Sequence, residues 1–291
     1  MFRRRVIRKI GREQPRTVNI ALTIDVEDWY HVCGPAGAGA VPPSCRRVAG
    51  NVGSILSLLD EFDVKATFFV LGSIAEEEPS LVPRIAAAGH EIASHGYSHR
   101  LVPLLGPEQF RDEVRRTDAI LERQCGVKPV GFRAPQWSIT ASATAWALAV
   151  LSEEGYRYDS SCNPLYFVGE PKGPRHPFRA ETPAGTLLEI PPMVTPSLFC
   201  NLPTGGGWGF RFFPRAMIAG TVEKLNEAGH PAVLYLHPRE MESDGPRLKL
   251  SPLRAFAAYG PRNDAAGRLR YFLQRFRFGT LRQLVENWEP A

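Results

Sequence analysis

Long apolar runs are missing from this 291-residue chain: no stretch approaches the ~20 residues that cross a bilayer. The N-terminus also lacks an apolar core. Val6, Ile7 and Ile10 are kept apart from the run Val18 to Ile24 by Arg8, Lys9, Arg12, Glu13, Gln14 and Arg16, so a secretory signal is not expected. Cysteine is sparse and scattered. The five (Cys33, Cys45, Cys125, Cys162, Cys200) form no CxxC pair, which argues against a cysteine zinc site and for a reduced, cytoplasmic setting. No internal repeat is evident. Neither sign of charge dominates, with 35 basic and 30 acidic residues giving +5, and no contact with nucleic acid is expected. Part of that surplus sits in Arg3, Arg4, Arg5, Arg8 and Lys9. Residues 1–17 read as a solvated basic extension, with peripheral contact to an anionic surface or a membrane-linked glycan as the rival reading.

What is present is enough for a core. Hydrophobic residues make up 44% of the chain and charged residues 22%. Short apolar runs alternate with helical patterns. Strands are expected at 18–24, 66–70, 91–94, 130–133, 187–190 and 232–236. Helices are expected at 51–61 (with Asn51 as N-cap), 79–88, 108–125, 143–154 and 217–228, several closed by glycine. This alternation predicts an α/β domain of mainly parallel strands, a barrel or barrel-like closed sheet, with an open doubly wound sheet as runner-up. Residues 160–186, rich in Pro and Gly, read as a long surface loop. The loop Thr204-Gly205-Gly206-Gly207-Trp208-Gly209 lets backbone approach a ligand, but it lacks the Lys-Ser/Thr ending of a phosphate-binding loop. The tail from Ser251, with a helix near 280–287, is expected outside the barrel, within a single domain of residues 18–291.

Four polar clusters fall at the carboxyl ends of expected strands, where parallel α/β barrels keep their reactive groups. They are Asp25-Val26-Glu27-Asp28-Trp29-Tyr30-His31, Ser94-His95-Gly96-Tyr97-Ser98-His99, Phe132-Arg133-Ala134-Pro135-Gln136-Trp137 and Tyr235-Leu236-His237-Pro238-Arg239-Glu240. His95 and His99, four apart, share a side if they lie on one helical turn, and Gly96 permits a turn out of the strand. Two imidazoles and a carboxylate suit Zn²⁺ or a similar divalent ion. Among Asp25, Glu27 and Asp28, one acid would bind the ion and another would take a proton from water. A buried Arg133 needs an acidic partner, and Asp25 is the natural one. The bland alternative is a structural ion pair. His237 can protonate a leaving amine or simply close a strand.

In this order the clusters resemble the polysaccharide deacetylase family with the NodB homology domain. The matching pieces are Thr23-Ile24-Asp25-Val26-Glu27-Asp28, His95-Gly96-Tyr97-Ser98-His99, Arg133-Ala134-Pro135 and Leu236-His237. The details look closest to the peptidoglycan deacetylase and allantoinase-like branch, and to deacetylases of exopolysaccharide gene clusters. The resemblance implies a distorted, seven-stranded (β/α) barrel, a divalent metal and hydrolysis of an N-acetyl group on a hexosamine polymer. Most of the family carries a second acid where Val26 stands. In the peptidoglycan-type branch the metal acid lies two residues after the base, which makes Asp25 the base and Glu27 the ligand, with Asp28 in reserve. Strand alternation agrees, since 25 and 27 share a face. The resemblance further implies His95 and His99 as ligands, Arg133 as the partner of Asp25, and His237 as the acid. A backbone N–H near Gly96 or Tyr97 would help hold the oxyanion. The family's Asp that orients the acid has no clear match, with Pro191, Pro192 and Met193 near its place and Glu240 a substitute. Trp29, Trp137 and Trp208 are candidate walls for sugar rings. The rival functions are an allantoinase-like hydrolase of a small cyclic amide or ureide, and a non-catalytic glycan-binding barrel.

Overall fold

The computed structural model describes residues 19–31, 42–140, 143–260 and 264–287. The basic extension 1–17, Val18 and Cys33 lie outside them. In chain order the elements are β1 (Ile20–Val26), α1 (Val48–Glu61), β2 (Thr67–Val70), α2 (Gly72–Glu77), α3 (Leu81–Ala87), β3 (Glu91–Ser94), α4 (Gly106–Cys125), β4 (Gly131–Phe132), α5 (Ala145–Glu153) and β5 (Tyr158–Asp159). Then follow β6 (Phe178–Thr182), β7 (Gly185–Glu189), β8 (Thr195–Pro196), β9 (Asn201–Leu202), α6 (Gly207–Phe212), α7 (Arg215–Glu227), β10 (Ala232–Leu236), α8 (Pro252–Tyr259), α9 (Ala265–Arg275) and α10 (Leu281–Asn287). The sheet runs β10-β1-β2-β3-β4-β5-β7-β6. Its first seven strands pair in parallel and β6 is antiparallel to β7. It is a curled half-barrel. Six of the parallel strands are those expected from the residues; β5, which was not expected, brings the parallel set to the seven that the resemblance implies, and β6 is an eighth.

Both faces of the sheet are buried, which explains why β1 reads as a nearly continuous apolar run, interrupted by Thr23 and Asp25. On the outer face Leu22, Ile24, Phe68, Val70, Leu234 and Leu236 pack against Val52 and Ile55 of α1, Val222 of α7 and Phe272 of α9. On the inner face Ala21, Phe69, Ala93, Tyr158, Leu188 and Val233 form a second cluster with Leu281 and Leu284 of α10. The tail therefore divides. α9 covers the outside as expected, whereas α10 enters the half-barrel. Its first turn is fixed by Thr67 Oγ1, which accepts from Leu281 N at 2.8 Å, and by Glu91, which accepts from Arg282 N at 3.0 Å. Thr67 and Glu91 begin β2 and β3, so α10 closes the amino ends of the strands and leaves the carboxyl ends open.

Three local expectations are corrected. α1 starts at Val48, before Asn51, because the distant Asp28 carboxylate accepts from Arg47 N and Val48 N at 2.8 and 3.2 Å. The expected loop 160–186 contains β6, an edge strand whose residues alternate between half-buried and exposed, so its apolar signal is weak. The glycine loop opens α6, and its glycines serve packing. A Cβ on Gly205 would sit 2.3 Å from Met193 O, and one on Gly206 2.3 Å from Tyr235 O.

Candidate active site at the carboxyl ends of the strands

β1 ends by turning its odd-numbered side chains inward, so Asp25 and Glu27 face the inside of the half-barrel, both buried. β3 ends at Ser94, and His95 to His99 follow as a loop. The expected helical turn is absent. Gly96 has φ +75° and His99 φ +59°, and this double left-handed bend brings the two imidazoles together. A non-glycine residue there is strained. His99, Gln136 and Trp137 are three of the four described non-glycine residues with positive φ, and all three line one cavity of about 270 Å³.

Glu27 Oε1 lies 3.2 Å from His95 Nε2 and 2.9 Å from His99 Nε2. Among the described residues these three form a group whose donor atoms fall within 4.8 Å of one another. His95 Nδ1 stands 2.7 Å from Arg133 O and donates to it, which leaves the Nε2 lone pair aimed at Glu27. A lone pair facing a carboxylate oxygen in a buried space calls for a proton or a cation between them. Two nitrogens and one oxygen fit a borderline divalent ion such as Zn²⁺. Burial raises the Glu27 carboxyl, but the charges of His99 and His237 and the hydrogen bonds of His95 and His99 outweigh it and hold it well below the usual range. Asp28 is not part of this group. Its two oxygens accept from Trp29 N, Arg47 N and Val48 N, so it serves as the start of α1.

Arg133 is fully buried over the Phe69 ring, 4.3 Å from its centroid. Its Nη1 donates to Asp25 Oδ1 at 2.7 Å and Thr23 Oγ1 at 2.8 Å, while Nη2 and Nε donate to Ser160 Oγ and O. The Arg133–Asp25 pair read from sequence is therefore present, and Asp25 Oδ2 is left free to face the cavity. His237 Nε2 lies 3.9 Å from Asp25 Oδ2 and 4.0 Å from Glu27 Oε1. On its other side Nδ1 is 3.7 Å from Glu240 Oε1, which is itself 3.5 Å from Arg211 Nε. Burial lowers the His237 pKa, but Glu27 and Glu240 outweigh it and raise it above the usual value. Burial likewise raises Glu240, and His237 and Arg211 bring it below the usual range.

Several participants were missed from sequence. His31 lines the cavity with its ring 5.3 Å from that of His99, and burial followed by the charge of His99 pushes its pKa down to about 3. Glu113 on α4 accepts from Tyr97 N at 3.3 Å and Ser98 N at 3.2 Å, which pins the histidine loop. Tyr97 N is thereby taken, and Gly96 N points to Ser94 Oγ at 3.4 Å, so neither is an oxyanion donor. Behind Arg133, Asp159 and Glu189 are buried neighbours in register, and burial raises both carboxyls. Asp159 holds Ser161 Oγ at 2.6 Å, which in turn accepts from Ala134 N. No local motif marks Glu113 or Glu189, whose partners lie 15 to 30 residues away. Of the expected walls, Trp137 and Trp208 line the cavity. Trp29 does not; its indole donates to Cys45 O and faces a separate cavity beside Glu240.

A curled parallel sheet with histidines and carboxylates gathered at its strand ends defines a class of α/β half-barrel with a buried polar centre. Within it, residues 19–158 match the family profile described as polysaccharide deacetylase. Residues 160–286 match a second profile, a domain of unknown function called DUF3473. A peptidoglycan-N-acetylglucosamine deacetylase of Bacillus cereus is 40% identical over 93 residues, 32% of this chain and 34% of that protein. The chain spans between a third and a half of the length of such curated relatives. A Mycobacterium smegmatis structure provisionally named a polysaccharide deacetylase aligns over 94% of this chain and 91% of its own, with 25% identity and a TM-score of 0.62. The Puue allantoinase structure shares the fold over 94% of this chain and 92% of its own, with 19% identity and a TM-score of 0.63.

Proposed function

We propose that the chain hydrolyses the N-acetyl group of an N-acetylhexosamine within a polysaccharide. The observation that carries this reading is the convergence of Glu27 Oε1 on the Nε2 atoms of His95 and His99, flanked by Asp25 and His237. Glu27, His95 and His99 would hold a divalent ion, with Zn²⁺ the first choice for this donor set. When bound, such an ion polarises an amide carbonyl and makes a water more acidic. Asp25 Oδ2 takes a proton from the attacking water, while Oδ1 stays bound to Arg133, which keeps the carboxylate aimed. His237, whose pKa Glu27 and Glu240 raise, gives its proton to the departing amine. Glu240 takes the orienting role from the other side of the ring. Trp137 and Trp208 offer apolar walls for a sugar ring. The B. cereus relative carries N-acetylglucosamine in its name, which supports the choice of hexosamine. We read the two matched segments as one folding unit, because the inner cluster joins Ala21, Phe69 and Tyr158 to Leu188, Val233 and Leu281.

The test is acetate release from N-acetylated glycan fragments, with allantoin run beside them. Activity should disappear on chelation and return with Zn²⁺, and His95→Ala should be inactive while still folded. Equal acetate release by wild type and His95→Ala refutes the mechanism, and turnover of allantoin alone moves the substrate to a small ureide.

A further inference from the structure

The cavity opens through a rim that is apolar, exposed and built from residues 160–286. The turn between β8 and β9 presents Leu198 and Phe199 at 87% and 93% exposure. This tip is ordered: Ser197 N donates to Cys200 O at 3.0 Å, and Cys200 N donates to Ser197 Oγ at 3.3 Å. Beside it, Pro164 and Gly169 pair across a second small loop that presents Tyr166 and Phe167, 75% and 80% exposed. Asn201 Nδ2 donates to Pro164 O at 2.8 Å and ties the two tips together. On the other flank, Phe212 and Phe256 pack at steep angles around Trp208, with Leu253 exposed next to them on α8. Tyr166, Phe167, Cys200, Trp208 and Ala257 all line the cavity, so the three projections surround one mouth.

Large apolar side chains held out by hydrogen-bonded turns cost free energy in water, and clusters of them mark contact surfaces. Charge identifies the partner. Residues 160–286 carry 16 Lys and Arg against 10 Asp and Glu, whereas residues 19–158 carry 12 against 17. Exposed Lys172 and Arg175 follow the Tyr166 tip, and exposed Arg215 and Arg254 follow Phe212 and Leu253. Phe, Leu and Tyr projecting among Lys and Arg is the pattern of a protein that seats side chains into an anionic bilayer surface. A second copy of the chain would instead favour a flat patch, and separate tips do not make one.

We propose that the rim docks the chain on an anionic lipid surface, with the mouth of the cavity held at the headgroups. Docking requires neither metal nor turnover, so it stands or falls apart from the deacetylase reading. The experiment is flotation of the purified chain with phosphatidylglycerol-containing and pure phosphatidylcholine vesicles. Its arms are wild type, Leu198→Ser/Phe199→Ser, and a control Val127→Ser, 54% exposed at the end of α4. Wild type and the control should float with the anionic vesicles, and the double variant should bind them about tenfold more weakly with an unchanged melting temperature. Absence of flotation overturns the proposal. So does equal flotation of the double variant, which would assign binding to charge alone. Loss of binding to soluble N-acetylated glycan in the double variant, without any vesicle binding, would give the rim to the polysaccharide instead.

Discussion

Replacing Arg133 with Met tests the centre of the site. The guanidinium is fully buried and its donors are spent on Asp25, Thr23 and Ser160. Met fills much of the same volume but leaves the Asp25 carboxylate buried without a counter-charge. Breaking a buried ion pair from one side costs about 3–5 kcal/mol. For a chain of this size that lowers the melting temperature by on the order of 10 °C. Adding Asp25→Asn removes the stranded charge, so the double variant should recover about 2 kcal/mol relative to the sum of the single changes. The assay is a double-mutant cycle by urea denaturation. Zn²⁺ uptake by the folded single variant should persist, because His95 is held by the Arg133 carbonyl, which the substitution keeps. Acetate release should fall in all three variants. A cost below about 1 kcal/mol for Arg133→Met, or no coupling with Asp25→Asn, would refute the account of Arg133 as the counter-charge that steadies the base.

The Asp159–Glu189 pair gives a pH prediction. Burial raises both carboxyls; Asp159 raises Glu189 further, whereas Glu189 offsets part of the rise on Asp159, so the proton the pair keeps is on Glu189. A raised folded-state value means that this stability is complete below the ordinary carboxyl value of about 4.3 and is lost as pH rises through the raised value. Wild type should therefore lose stability toward alkaline pH more steeply than Glu189→Gln, whose amide keeps its hydrogens; parallel pH–melting curves would sink this. Leu281 tests the inward placement of α10. It is fully buried among Ala21, Phe69 and Val233, so Leu281→Ala should cost about 2–5 kcal/mol, measured by denaturation, with a single transition if both matched segments form one unit. A cost near zero, or two transitions, would contradict that packing.

Strands and helices were legible where burial is two-sided or strongly periodic. β1, β2 and β10 are nearly continuous apolar runs because both faces are covered, and α4 carries a clear apolar stripe. β6 was not legible, because an edge strand with one half-buried face carries little apolar signal. The tail was half legible. Its apolar residues announced packing, but nothing local distinguishes the outer face that takes Phe272 from the inner face that takes Leu281. Asp28 shows the same limit in the site. Three acids in four residues leave Asp28 in reserve as a ligand beside Glu27, whereas the fold spends Asp28 on the start of a helix 19 residues away.

The partner of His237 carries this reasoning furthest. The family's orienting Asp was sought upstream, near Pro191, Pro192 and Met193, and no acid stands there. In the structure His237 is followed by a short helical turn, Pro238–Met241, which carries Glu240 back beneath the imidazole. An acid three residues on can reach the ring because that turn is tight, and Pro238 sets its first φ. Arg211, from α6, then closes the other side of Glu240 at 3.5 Å while donating to the carbonyls at the end of α8. One buried carboxylate thus joins a histidine at the end of β10 to two helices of the segment 160–286. A sequence reading bound to motif order looks for the orienting acid in one place. Chain geometry allows it wherever a turn delivers a carboxylate to Nδ1.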